Sequence, residues 1–186
     1  MNQRLQIISE KRIPLMVSIL QGIGMGIIKI VLAVLSGSWL FLFSAFYNFG
    51  IAGAIGAVLK NKREVVGWVV ILSSVLFGAY SYWMIRKGQT AQFGMYIAIL
   101  IAAVTFTDIA LAIRGIVRAR KNNPNDRIIS LISLATALIS LTLTQTAILS
   151  FALSGQDMSV YNGICGMLFG AVAAVIGVII VREGRR

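Results

Sequence analysis

Histidine is absent from this sequence, cysteine occurs once, and six acidic residues stand against seventeen lysines and arginines. Each shortage removes a class of function. Without histidine the usual carrier of protons near neutral pH is missing. With Cys165 alone, inside an apolar run, no internal disulfide can form and the thiol reads as a small buried group. Asp108 is the only acidic residue well inside an apolar stretch, so neither paired carboxylates nor a nucleophile with its base can be assembled. A metal site built from His, Cys and carboxylates has no ligand set. Glycine is plentiful but lies on apolar stretches rather than in a phosphate-binding loop. The sequence therefore predicts no enzyme, no metal and no cofactor.

Charge is also scarce: 12% of residues are charged, against about 25% in a typical soluble domain. Six apolar stretches of about 20 residues fill the chain, and about 20 helical residues at 1.5 Å each cross a bilayer's apolar core. The expected fold is all-α, a polytopic six-helix transmembrane bundle forming a single domain over 1–186. Its spans fall at about 13–35, 38–59, 65–85, 93–118, 127–153 and 160–181. The segment Met1 to Arg12 is polar and holds Glu10, and the apolar run after it is longer than a signal-peptide core, so it reads as a retained first span. Ser36-Gly37-Ser38 forms the first turn. Pro124 stops the fourth helix, and Asn125 or Asp126 is expected to cap the fifth.

The net charge of +11 does not point to nucleic acid, because the basic residues sit at helix ends rather than along one face or tail. Fourteen of the seventeen fall on one side of the expected bundle: near the amino terminus, between the second and third spans, between the fourth and fifth, and in the tail. Only Arg86 and Lys87 fall on the other side. This asymmetry predicts a cell-membrane protein with both termini cytoplasmic. Trp39, Tyr82, Trp83, Phe93, Tyr96 and Tyr161 mark the outer boundary, and Trp68 the inner one. The basic face would also attract anionic lipid headgroups.

In lipid, helices associate through small residues and hydrogen bonds. Gly22 and Gly26 form a GxxxG pair in the first span. Gly53 has Gly50, Gly56, Ala54 and Ala57 as small neighbours in the second. Gly163, Gly166, Gly170, Ala174 and Gly177 give the sixth a smooth face. Packing within the chain is one use of that face, and a homodimer is another.

Ionisable groups inside a span are candidates for function. Lys29 lies in the outer half of the first span and Asp108 just inside the middle of the fourth, their backbones offset by roughly 10 Å in depth. An ion pair between them is one arrangement. The other has Lys29 reaching the outer interface while Asp108 meets Thr105, a hydroxyl of another helix, or water. The fifth span carries Ser130, Ser133, Ser140 and Thr144 at spacings of three, four and seven, which share one face. Gln145 and Thr136, Thr142 and Thr146 widen this stripe. Gln21, Ser44, Tyr47 and Asn48 are placed to converge on it.

Lys29-Ile30-Val31 followed by Ser36-Gly37-Ser38 and an apolar second helix resembles the first hairpin of cation diffusion facilitators. The resemblance implies six spans with both ends inside, a cytoplasmic connection between the fourth and fifth spans, and Asp157 before the sixth. It stops short of the metal chemistry. The positions matching the family's second-helix aspartates fall on or near Tyr47 and Ile51, and those of its fifth-helix His and Asp near Ala137 and Leu141. None of these replaces a zinc ligand. The family's cytoplasmic carboxy-terminal domain has no counterpart before Arg186.

Three functions fit. The first is a small transporter-like protein with a solute or cation path lined or gated by Lys29, Ser44, Asn48, Asp108 and Gln145. The second is a non-catalytic subunit or scaffold of a larger membrane complex, as a homodimer or with another membrane partner. The third is the substrate-binding component of a vitamin importer, for which the short connections are poorly suited.

Overall fold

A computed structural model describes residues 2–59, 62–88, 94–118, 124–153 and 156–185. These form six helices and no strand: α1 (Asn2–Ser36), α2 (Trp39–Leu59), α3 (Arg63–Lys87), α4 (Met95–Arg118), α5 (Pro124–Ala152) and α6 (Ser159–Gly184). Each contains a stretch long and apolar enough to cross a membrane. Parts of the expected connections, including Lys60, Asn61, Gln92, Phe93, Asn122, Asn123 and Ser154, lie outside the described residues.

Two boundaries differ from expectation. Helix α1 begins at Asn2 rather than near residue 13. Its opening turns are rich in glutamine, leucine, lysine and arginine, which favour helix, and no glycine interrupts them. Pro14 lies inside α1, where it removes one backbone hydrogen bond. Helix α5 begins at Pro124, so Asn125 and Asp126 lie within its first turn and do not precede it as caps. Proline suits the first helical position because its missing N–H would have no partner there. The turn between α1 and α2 goes as expected. Gly37 takes φ 62°, a left-handed conformation that a side chain resists, and Phe41 N–H donates to the Ser38 carbonyl at 3.2 Å.

Successive helices run up and down. Around the bundle the order is α1, α2, α3, α6, α5, α4, with α2 and α5 meeting across the middle. The α3–α6 seam is the most extensive, whereas α1 and α4 barely touch. Leu32, Phe41, Val70, Phe77, Ile101, Ile132, Leu143 and Ile180 form part of one continuous buried core. The outward faces are also apolar: Leu20, Val34, Leu72, Phe106, Val117, Leu168 and Val175 are all exposed. A water-facing surface does not tolerate apolar patches of this extent, while a hydrocarbon-facing one requires them.

The two ends differ in chemistry. One end carries the start of α1 and the end of α6 together with Lys62, Arg63, Arg114, Arg127, Arg182 and Arg185. There Arg127 meets Glu183 at 2.9 Å, and Arg185 meets Glu64 at 3.3 Å. Both arginines are more than half exposed, so these pairs contribute little to stability. The far end carries exposed Trp39, Tyr82, Trp83, Tyr96 and Tyr161.

At the far end Asp157 accepts a hydrogen bond from the Ser159 backbone N–H at 2.9 Å, satisfying a donor in the first turn of α6. That bond holds the Asp157 carboxyl below its ordinary value. A depressed carboxyl stabilises the fold above its unfolded-state pKa, and the contribution is lost as pH falls through the folded-state value. Asp157→Ala is therefore expected to lower the thermal unfolding midpoint at pH 7, with the gap from wild type closing under acid conditions. Parallel melts of both proteins across pH check this.

Candidate functional site

The chain brings a lysine, a carboxylate and three hydroxyls together in the bundle interior from three helices. Lys29 on α1 and Asp108 on α4 are buried, at 1% and 4% side-chain exposure, and Lys29 Nζ donates to Asp108 Oδ2 at 2.7 Å. Lys29 Nζ also approaches Ser140 Oγ on α5 at 3.3 Å. Ser140 Oγ in turn donates to the same carboxylate oxygen. One turn along, Thr144 Oγ1 donates to Thr105 Oγ1, joining α5 to α4 again. Thr144 Oγ1 also lies 3.1 Å from the Ser140 carbonyl, and Thr105 Oγ1 lies 2.9 Å from that of Ile101.

Helical spacing explains the assembly. Thr105 and Asp108 lie three residues apart on α4, and Ser140 and Thr144 four apart on α5, so each pair shares a face. The helices are antiparallel, which sets Asp108 opposite Ser140 and Thr105 opposite Thr144. Lysine alone has the reach to join from α1. Its backbone stands roughly 10 Å below the far end of α1, counting seven residues from Ser36, and Asp108 stands roughly 20 Å below the start of α4. The lysine stem, the 2.7 Å hydrogen bond and the aspartate side chain together bridge that offset, so the pairing arrangement is the one adopted.

The remaining expected path residues are placed elsewhere. Ser44 and Asn48 are buried on α2, and among the described residues Ser44 Oγ and Asn48 Nδ2 have no hydrogen-bond partner. Tyr47 Oη and Ser74 Oγ are buried close to one another, and among the described residues neither makes a hydrogen bond of ordinary geometry. Tyr47 borders a cavity of about 250 Å³ between α2 and α3, lined also by Phe43, Phe46, Ser73, Leu76 and Phe77. Gln145 points away from the ion pair. It lines a larger cavity, about 460 Å³, between the far ends of α5 and α6, with Gln156, Tyr161 and Cys165. Neither cavity includes Lys29, Asp108 or Ser140.

Ser74 and Ser81 on α3 were not marked by the sequence analysis. Their signal is a spacing of seven, with Gly67 one further interval back at position 67, which gives α3 a small-residue face to match that of α6. A Cβ at Gly166 would collide with Ser81, and one at Gly170 would lie 3.3 Å from the Ser74 carbonyl. The smooth face of α6 is thus covered by α3 within the chain. Gly22 and Gly26 face α2, where an added Cβ would lie 3.3 Å from Ala52 Cβ and 2.9 Å from the Phe49 ring. Gly53 differs from expectation: it is exposed, and a Cβ there would meet nothing within 4 Å, so it packs no helix of this chain.

No protein-family model matches the chain, and no curated protein sequence matches it significantly.

Proposed function

We propose that this chain is a transporter-like cell-membrane protein with both termini cytoplasmic, and that the Lys29–Asp108 pair latches its closed conformation. Insertion is supported by six long apolar helices with apolar outward faces. Orientation is supported by the concentration of basic residues at the end bearing the termini. The observation that carries the transport reading is the position of the ion pair. It bridges α1 and α4, the two adjacent helices with the least other packing between them.

A buried ion pair is a poor way to gain stability, because removing two charges from water costs about as much as their attraction returns. Inside a membrane such groups are rare and generally serve a path or a switch. Here, separating the two charges would release the seam that has least else to hold it. The resemblance of residues 29–38 to the first hairpin of cation efflux proteins agrees with a role in cation or solute movement, without the family's zinc site.

Reconstitution into liposomes tests this reading. Wild-type protein is expected to carry flux of at least one ion or small solute from a broad panel. Lys29→Met and Asp108→Asn are expected to change that flux by about tenfold or more, in line with loss of a few kcal/mol at a switch. Flux no different from empty vesicles across the panel overturns it.

One observation favours the second reading, a non-catalytic membrane subunit. The charges of Lys29 and Asp108 neutralise one another, and Ser140 contacts both, which suits a closed brace. Under that reading crosslinking in mild detergent recovers a defined partner or dimer, and a strictly monomeric, partner-free chain contradicts it.

A further inference from the structure

We infer that Asp108, Ser140, Thr105 and Thr144 form a binding site for a small monovalent cation of the sodium class, which the Lys29 ammonium occupies from within the chain. This deepens the transport reading and rests on it for its biological use.

The argument begins with what the ammonium touches. Its two partners are Asp108 Oδ2 at 2.7 Å and Ser140 Oγ at 3.3 Å, both hard oxygen atoms. Within one turn stand Thr105 Oγ1 and Thr144 Oγ1, paired to each other, and the Ser140 carbonyl that Thr144 approaches. A carboxylate with hydroxyl and carbonyl oxygens suits hard cations and offers nothing to soft ones. Both threonine hydroxyls can turn their protons away to their own helices and present a lone pair. Thr105 already has the Ile101 and Ala102 carbonyls within reach, and Thr144 that of Ser140.

Charge decides the valence. Asp108 is the single carboxylate among these groups, so one positive charge makes the site neutral, as the ammonium does now. A divalent ion would leave an uncompensated positive charge in a low-dielectric interior, which is disfavoured. Among the described residues no group of three or more His, Cys, Asp or Glu side chains stands close enough to hold a metal.

Lys29 is therefore an internal competitor. Its backbone lies nearer the far end than Asp108 does, and its stem runs inward from there along a seam with little packing, so withdrawal back toward the far end would expose the oxygens to an incoming ion. An ion seated there would in turn keep Lys29 displaced and the α1–α4 seam free.

The test uses the full-length chain in detergent. Thermal unfolding is followed with chloride salts of lithium, sodium, potassium, calcium and N-methylglucamine at constant ionic strength. Lys29→Met and Lys29→Gln are expected to rise in midpoint with a small monovalent cation, at concentrations about tenfold or more below any effect on wild type. The rise is expected to vanish in Lys29→Met/Asp108→Asn and to shrink in Lys29→Met/Thr144→Val. Absence of a cation-selective rise in both lysine variants overturns the site. So does a rise that survives loss of Asp108, or a stronger effect of calcium.

If the lysine variants do not fold, retention of radiolabelled sodium by wild-type proteoliposomes is compared with that of Asp108→Asn, and equal retention overturns the site. The two proposals fail separately. Selective binding without flux removes transport and leaves the site. Flux that responds to Lys29→Met and Asp108→Asn, with no cation-selective rise in either lysine variant, removes the site and leaves transport.

Discussion

Lys29→Met is expected to lower the unfolding free energy of the detergent-solubilised protein by about 3–5 kcal/mol, and Asp108→Leu by a similar amount. The size of the loss comes from the group left behind. With Lys29 gone, the Asp108 carboxylate is enclosed by α1, α4 and α5 with, among the described residues, only the Ser140 side chain donating to it. It is then left in a low-dielectric interior without its counter-ion. With Asp108 gone, the ammonium at 1% exposure retains only the Ser140 hydroxyl. Ser140→Ala removes a neutral partner and leaves the ion pair, so its cost is expected near 1–2 kcal/mol. Denaturant or thermal unfolding, monitored by the fluorescence of Trp39, Trp68 and Trp83, measures all three. Losses below about 1 kcal/mol for both charged positions would mean that water or lipid headgroups reach the pair.

The second large effect is expected at the α3–α6 seam. Gly67 and Gly177 lie where the two helix backbones nearly touch. A Cβ at Gly67 would sit 2.7 Å from the Val181 backbone nitrogen and 2.8 Å from the Gly177 carbonyl oxygen. One at Gly177 would sit 3.0 Å from the Gly67 carbonyl and from the Ile71 nitrogen. Backbone cannot turn aside as a side chain can, so relief requires moving one helix away from the other along the most extensive contact in the bundle. Gly67→Val is expected to destabilise by about 3 kcal/mol or more, at the upper end of overpacking effects. Gly53→Ala and Gly78→Ala are the matched controls. No atom lies within 4 Å of either added methyl, and both are expected to be neutral or slightly stabilising because alanine favours helix. Equal behaviour of Gly67 and Gly53 variants would show that the seam is loose.

Much of the architecture was legible in the residues. Apolar stretches bounded by charge or glycine mark helices wherever membrane thickness fixes the length, so the six elements were placed closely. Helix ends were legible only where local chemistry decides them. Gly37 signals its turn, but Pro124 has two opposite uses, as a stop and as a first helical residue, and sequence does not separate them. The start of α1 was missed because polarity alone does not end a helix.

The site was half legible. Lys29 and Asp108 stand out because charge is costly in an apolar span, and the α5 stripe gave Ser140 and Thr144. Their meeting depends on the lysine stem spanning an offset between helices, which spacing within one helix does not reveal. Gln145 illustrates the converse. It adjoins Thr144 in sequence, but one residue turns a helix by about 100°, enough to carry it from the α4 side to the cavity beside α6. Gly53 failed for a similar reason: several small residues crowd that stretch of α2, and only some of them face a neighbouring helix.

The account stands on Lys29 and Asp108 acting as one unit in the dry interior of the bundle. A double-mutant cycle in unfolding free energy, using Lys29→Met, Asp108→Leu and the two combined, measures that directly. The combined variant holds no buried charge, so it is expected to be more stable than either single variant, which requires a coupling larger than either single loss, more than about 3 kcal/mol. A combined variant that loses the sum of the two single effects would contradict the account.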